Sequence, residues 1–237
     1  MTDAISQHTI AGTVLTMPVK IRKATQHMAM FSVDADAAQQ MIDYSGLQVY
    51  RPFPGRAIAT LILTHFIDGD LGPYHEYSTC VMVDPPRSDA SGLQSAFVQH
   101  MFVDQTFTLE AGRTIWGFPK VIADFTIRDG KQFGFDATID GQLVLGMEFS
   151  PGLRVPSALT SREQELRAYS CLDGLTRESA YEVCFHGARY RPSGARIRLG
   201  DHPYAKELAS LGFPKRAMIS SSADNVEMSF GDANEIA

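Results

Sequence analysis

The chain lacks most of the short signatures that mark common enzyme classes. It has no Gly-x-Ser-x-Gly, no glycine-rich phosphate or dinucleotide loop, no His-Glu-x-x-His and no Asp-rich calcium loop, so serine-hydrolase, nucleotide-dependent and zinc-protease chemistry have no parts to work with. Cysteine is scarce: Cys80, Cys171 and Cys184 are odd in number, widely spaced and without Cys-x-x-Cys or Cys/His spacing. That excludes a disulfide framework and predicts reduced thiols acting as small hydrophobes in a cytoplasmic protein. No apolar run is long enough to span a bilayer, and MTDAISQHTIAGTV lacks the basic-then-apolar pattern of a leader, so no membrane association is expected. The 21 cations are scattered among 27 acidic residues, for a net charge of −6, which leaves no electrostatic footprint for nucleic acid. The seven histidines form no set, and His75-Glu76 has no second histidine at helical spacing. No metal and no cofactor are predicted.

What the chain does have is enough apolar residue, 44% of 237, to build a sizeable core. Residues 1–12 read as a loose polar tail, and 13–237 as a single domain without a linker. VLTMPVKIR and HMAMFSV alternate as two short strands, with Pro18 marking the first as an edge. DADAAQQMIDYSG follows as a helix capped by Asp34 and ended by Gly46. AIATLILTHFI has the length and apolarity of a central strand, and it forms a hairpin with the strand that begins near Glu76. After AFVQHMFVD, a strand, QTFTLEAGR reads as a short helix. VIADFTIR, QFGFDATI and QLVLGMEF are separated by Asp129-Gly130 and Asp140-Gly141, which predicts an antiparallel meander with Phe133, Phe135, Ala137 and Ile139 on one face. TSREQELRAYSCL carries a capping box at Thr160 and Glu163 but suits a strand from about Leu166. RESAYEVCFHGARY and ARIRLG are strands flanking the turn Arg191-Pro192-Ser193-Gly194, a helix starts at Pro203, and KRAMISSSADNVEMSF supplies the last strand. The class is α+β, mostly β: one strongly curved, barrel-like antiparallel sheet with a few short helices.

One stretch asks for a chemical explanation. In GRTIWGFPKVIAD, Lys120 stands among Ile115, Trp116, Phe118, Val121 and Ile122, and Trp116 is the single tryptophan of the chain. A desolvated amine gives up its proton more readily, and a neutral lysine attacks carbonyl carbon to form a Schiff base. A Gly-Phe-Pro turn with a lysine reaching back to water explains the same letters, and the stretch taken alone favours that plainer reading.

The same residues, however, resemble the Gly-Arg…(Phe/Tyr)-Pro-Lys segment of the acetoacetate decarboxylase-like superfamily, whose lysine forms a Schiff base with a keto acid. DLGPYHEY is similar to that family's segment bearing a catalytic glutamate, FVQHMFVD to the strand before its active-site helix, and PKRAMISSSADNVEMSF to its C-terminal strand; the similarity runs from about Thr13 to Ile236. The resemblance implies a cone-shaped or partial-barrel antiparallel sheet, Lys120 as nucleophile and Glu76 as acid/base. It also implies substrate contacts from Trp116, Phe118, Tyr74 and Arg22, a small-molecule oxo acid as partner, and a homo-oligomer.

The chain departs from the decarboxylases at three points. Val121 stands where they carry a second lysine, Leu61 aligns with a second glutamate, and the carboxylate-binding arginine has no gap-free match, Arg22 and Lys23 being nearby candidates. An iminium also serves aldol and dehydration chemistry, and relatives without the full decarboxylase set resemble aldolase-dehydratases. The expectation is therefore a Schiff-base lyase on a small or medium oxo acid. The alternative is a binding protein for a hydrophobic carboxylate in which Lys120 is an anchoring charge.

Overall fold

The computed structural model describes residues 6–86 and 91–236. Strands β1 (Gln7–Ile10) and β2 (Thr13–Thr16) form a hairpin ahead of β3 (Val19–Asp34), helix α1 (Ala35–Ile42), β4 (Arg56–Gly69), β5 (Tyr74–Met82) and β6 (Ser95–Val103). Helix α2 (Thr106–Trp116) leads to β7 (Lys120–Ile122), β8 (Asp124–Arg128), β9 (Phe133–Ile139), β10 (Gln142–Phe149), β11 (Leu153–Arg154) and the single turn α3 (Ser157–Thr160). The chain ends with β12 (Gln164–Leu172), β13 (Leu175–His186), β14 (Arg189–Pro192), β15 (Ala195–Leu199), α4 (Pro203–Ser210), β16 (Ile219–Phe230) and β17 (Asn234–Glu235). No helix among the described residues is long and apolar enough to cross a membrane.

Seven strands close into a barrel in the order β16-β3-β4-β5-β6-β12-β13, with β13 returning to β16. Closure removes the open edges that a curved sheet would otherwise present. All but one of the seven contacts are antiparallel; β12 runs parallel to β6 through Arg167–Ser95, Ala168–Ala96 and Tyr169–Phe97. Further along the same edge of β6, β7 pairs in parallel, setting Lys120 opposite Met101. The meander forms a second sheet, β15-β10-β9-β8, which packs on the outside of the barrel.

The period-2 alternation of the strands divides their side chains between two cores. The inner core contains Val19, Ile21 and Ala24 of β3, Phe66 of β4, Val98, Met101 and Val103 of β6, and Val226 and Met228 of β16, together with Ala111, Ile115 and Trp116 of α2. The outer core takes the alternate positions, among them Phe31, Leu61, Tyr77, Phe97 and Tyr169, in one cluster with Phe135, Ala137, Leu145 and Met147 of the second sheet and with Ala38 and Ile42 of α1; Tyr77 meets Phe135 directly. Helix α2 and the β1–β2 hairpin, through Ile10, Leu15 and Met17, contribute to the inner core.

Several expected boundaries shift. Residues 7–10 are not a tail: they pair with Thr13–Thr16, Ile10 is buried, and His8 bonds Asp232. Pro18 does not mark an edge, because it lies between β2 and β3. The first of the two expected strands is divided there between β2 and β3, and its second half merges with the other into one interior strand of 16 residues, absorbed into the barrel by register shifts at Lys23. RESAYEVCFHGARY is broken at Gly187, which has φ of 65°, and the turn at Ser193-Gly194 carries the chain from β14 in the barrel sheet to β15 in the second sheet. The Asp34 cap of α1 and the β4–β5 hairpin form as the sequence predicts; so does the β8–β9–β10 meander, except that VIADFTIR is divided, Val121 and Ile122 joining β7 on the barrel and Asp124–Arg128 forming β8.

Candidate active site

Lys120 owes its position to how α2 ends. The amide of Gly117, in the left-handed region at φ 63°, donates to Arg113 O, and that of Phe118 donates to Gly112 O at 3.1 Å. The first of these is the 5→1 bond of an αL C-cap, a conformation that glycine adopts without steric cost. Pro119 then prevents the helix from continuing, the Lys120 amide folds back to Phe118 O at 2.7 Å, and β7 begins. Arg113 donates from Nη1 to Lys120 O at 3.3 Å. With the backbone held on both sides, alternation sends Lys120 inward and Val121 into the outer core.

The lysine is 2% exposed, and its Nζ lies 2.7 Å from Glu76 Oε2. The stem of Lys120 lies directly against the backbone of Gly112; a Cβ there would collide with its Cδ and Cε, so α2 can approach this closely only with glycine at that position. Nζ also stands 5.3 Å from the centre of the Tyr74 ring, within range of a cation–π contact. Tyr74 itself stacks on Phe66 at 4.3 Å, and burial, reinforced by the charges of Glu76 and Asp104, holds its hydroxyl in the protonated form well above the usual phenol range. The neighbours of Glu76 in sequence point the other way: His75 bonds Asp104 at 2.8 Å, and Tyr77 is buried in the outer core with its hydroxyl on Thr79.

Lys120, Glu76 and Tyr74 are thus brought together, and Trp116 and Phe118 pack in the same inner core. Trp116 gives its indole N–H to Gly231 O at 2.8 Å and stacks with Phe118 at 6.0 Å. Arg22 is not brought to this group. Half exposed, it forms a fork on Asp68 and Asp70 at 2.6–2.9 Å, and none of these contacts reaches Lys120 or Glu76. Leu61 also differs from expectation: it faces the outer core, so the positions of β4 that share a face with Glu76 are Thr60, Ile62 and Thr64, none of them acidic.

From Glu76 the same face of β5 continues through Ser78 and Cys80 to Met82. It opens into a cavity of about 240 Å³ whose lining includes Cys80, Met82, Met28, Met30, Tyr181 and Phe185. Burial, with the charge of Glu76 added, pushes the Cys80 thiol up to about 12 and the Tyr181 hydroxyl higher still, so both stay protonated near neutral pH. None of these lining residues was visible as a candidate in sequence. Their signal, positions alternating in step with Glu76, becomes readable only once the strand pairing is known.

The acetoacetate decarboxylase family model matches residues 8–232, while no curated protein matches the chain. Among solved structures, an acetoacetate decarboxylase from Legionella pneumophila superposes with a TM-score of 0.72 at 14% identity, covering 100% of this chain and 92% of its own. The enduracididine biosynthesis enzyme MppR complexed with pyruvate gives 0.64 at 16% identity, covering 94% and 92%. An acetoacetate decarboxylase-like enzyme from Sphingomonas wittichii gives 0.60 at 15% identity, covering 99% and 100%. Identities this low speak for the fold alone; the family match, extending over nearly the whole chain, shows that it belongs to the acetoacetate decarboxylase family.

Proposed function

We propose that the protein is a Schiff-base-forming lyase acting on a small or medium oxo acid, with Lys120 as nucleophile and Glu76 as proton carrier. The observation that carries this reading is the buried ammonium–carboxylate pair at 2.7 Å. Before the nitrogen can attack, a proton must leave it, and the acceptor stands within hydrogen-bond reach. The neutral amine adds to the substrate carbonyl, the oxygen takes up protons and leaves as water, and the net change is ketone plus ammonium to iminium plus water. Loss of an α-proton then gives an enamine that adds to an aldehyde. Loss of a carboxylate as carbon dioxide from a β-keto acid uses the same electron sink.

Between these outcomes we favour aldol and dehydration chemistry. Val121 turns away from the lysine, and the face of β4 beside Glu76 offers Thr60, Ile62 and Thr64, so the second cation and second carboxylate of the decarboxylases are missing from those strand positions. The reading requires no cofactor and includes a cytoplasmic, homo-oligomeric protein. The alternative of a binding protein anchored by Lys120 is weaker, because an anchoring charge must be open to its ligand and this one is already neutralised by Glu76.

Incubation with pyruvate or acetoacetate followed by borohydride should add the mass of the dehydrated ligand to the wild-type protein and none to Lys120→Ala. Carbon dioxide release from acetoacetate should be slow beside pyruvate–aldehyde condensation. Unmodified wild-type protein, or a label that survives in Lys120→Ala, would count against the reading.

A further inference from the structure

The cavity beyond Glu76 has a composition that a small acid such as acetoacetate does not call for. One wall is Gln26, Met28 and Met30 of β3; facing it are Cys80 and Met82 of β5, and Tyr181 and Phe185 of β13. Three methionines at one mouth make an apolar surface that adapts to its occupant. Among the described residues, Arg167 is the one charged side chain in the lining. Its two terminal nitrogens are already held by Glu178 at 2.7 Å and Glu165 at 2.6 Å, while its buried Nε has no partner among the described residues. A second carboxylate on the ligand would therefore meet two carboxylates already in place. The remaining polar lining, Gln26 included, is neutral, and Gln26 is committed to Thr64 at 3.2 Å.

The cavity is also continuous in strand geometry with the reactive pair. Glu76, Ser78, Cys80 and Met82 follow one another on the inner face of β5, about 7 Å between successive members. A ligand whose carbonyl sits at Lys120 must extend its far end along this row to reach the methionines. A two- or three-carbon acid stops short of them.

We propose that the substrate is an oxo acid carrying an uncharged apolar tail of medium length, and that Met28, Met30 and Phe185 select for this tail. The inference rests on the Schiff-base reading for the position of the carbonyl, and on the cavity alone for the nature of the tail.

The test uses the wild-type protein with pyruvate, 2-oxobutanoate, 2-oxohexanoate and 2-oxooctanoate, and with 2-oxoglutarate as the charged control. Equilibrium binding is read by calorimetry and adduct formation by borohydride trapping. Each methylene that enters the cavity should lower the half-saturating concentration about fourfold, the equivalent of about 0.8 kcal/mol, and 2-oxoglutarate should bind no better than pyruvate. In Met30→Trp, the ratio of affinity for 2-oxooctanoate over pyruvate within that variant should collapse towards one. A flat series, or 2-oxoglutarate outbinding 2-oxohexanoate, overturns the proposal. A chain-length gain by calorimetry without any trapped adduct supports the tail preference and removes the Schiff-base reading. Equal trapping of all the acids at Lys120, with a flat binding series, does the reverse.

Discussion

The inner and outer faces of the barrel wall are built from the same strands, yet they do opposite things with polar groups. On β5, Glu76 faces inward to a lysine while His75 and Tyr77, one residue either side, face outward. On β7, Lys120 is inward and Val121 outward; on β4, Ile62 is inward and Leu61 outward. The outer core is an apolar seam between barrel and second sheet, where Phe135, Ala137 and Leu145 are fully buried. The inner core also holds a buried ion pair. Such a pair must overcome the desolvation of both charges and is weak evidence of stabilisation. One face thus stabilises the fold while the other tolerates a cost and holds the pair proposed to react.

The largest expected effect is on the inner face. Glu76→Gln keeps size and hydrogen-bonding capacity while removing acid/base function, so turnover should fall about 10²–10⁴-fold, with borohydride trapping at Lys120 retained. Single-turnover kinetics and trapping on a variant shown to unfold cooperatively decide it. Normal turnover would make Glu76 structural. Loss of both turnover and trapping would place its action before the adduct.

On the outer face the corresponding loss is in stability rather than rate. Phe135→Ala removes a fully buried ring next to Tyr77 and should cost about 3–5 kcal/mol by urea unfolding. A cost below about 1 kcal/mol would mean that the second sheet adds little to the barrel.

A smaller effect should appear as pH dependence. His27 stacks on Phe133 at 3.6 Å, and burial lowers its pKa to about 4, against the opposing pull of Asp129 and Asp224. Between about pH 6.5 and 4 the unfolded chain binds a proton there that the folded chain refuses. Stability is then full above pH 6.5, falls as the pH drops towards 4, and levels off below it. The whole span is at most about 3 kcal/mol. Comparing urea midpoints of wild type and His27→Gln across this range isolates the effect; parallel curves would show that His27 titrates alike in both states.

How much of this was legible in the chain follows from what strand alternation carries. Lys120 and Glu76 were readable because a motif surrounds each, and the β8–β10 meander because Asp-Gly turns punctuate it. Which face a residue takes depends on register: Leu61 reads as a site position by alignment, but the β4–β5 pairing turns it outward. Arg22 was a candidate as a cation near the unmatched carboxylate-binding arginine of the family, yet Asp68 and Asp70, 46 and 48 residues away, meet it through the β3–β4 pairing. The cavity was invisible because its walls come from β3, β5 and β13, which share no local sequence signal. The hairpin at residues 7–16 was missed because a polar, four-residue strand has too little periodicity to register.

The most direct test of the central claim, a reversible Schiff base at Lys120, is exchange of the keto oxygen of pyruvate with ¹⁸O-labelled water. Formation and hydrolysis of the iminium expel the original oxygen and return one from solvent, whether or not any later step occurs. The account predicts exchange well above the buffer rate with wild-type protein, and exchange at the buffer rate with Lys120→Ala. Exchange no faster than buffer with the wild type, or undiminished in Lys120→Ala, would contradict it.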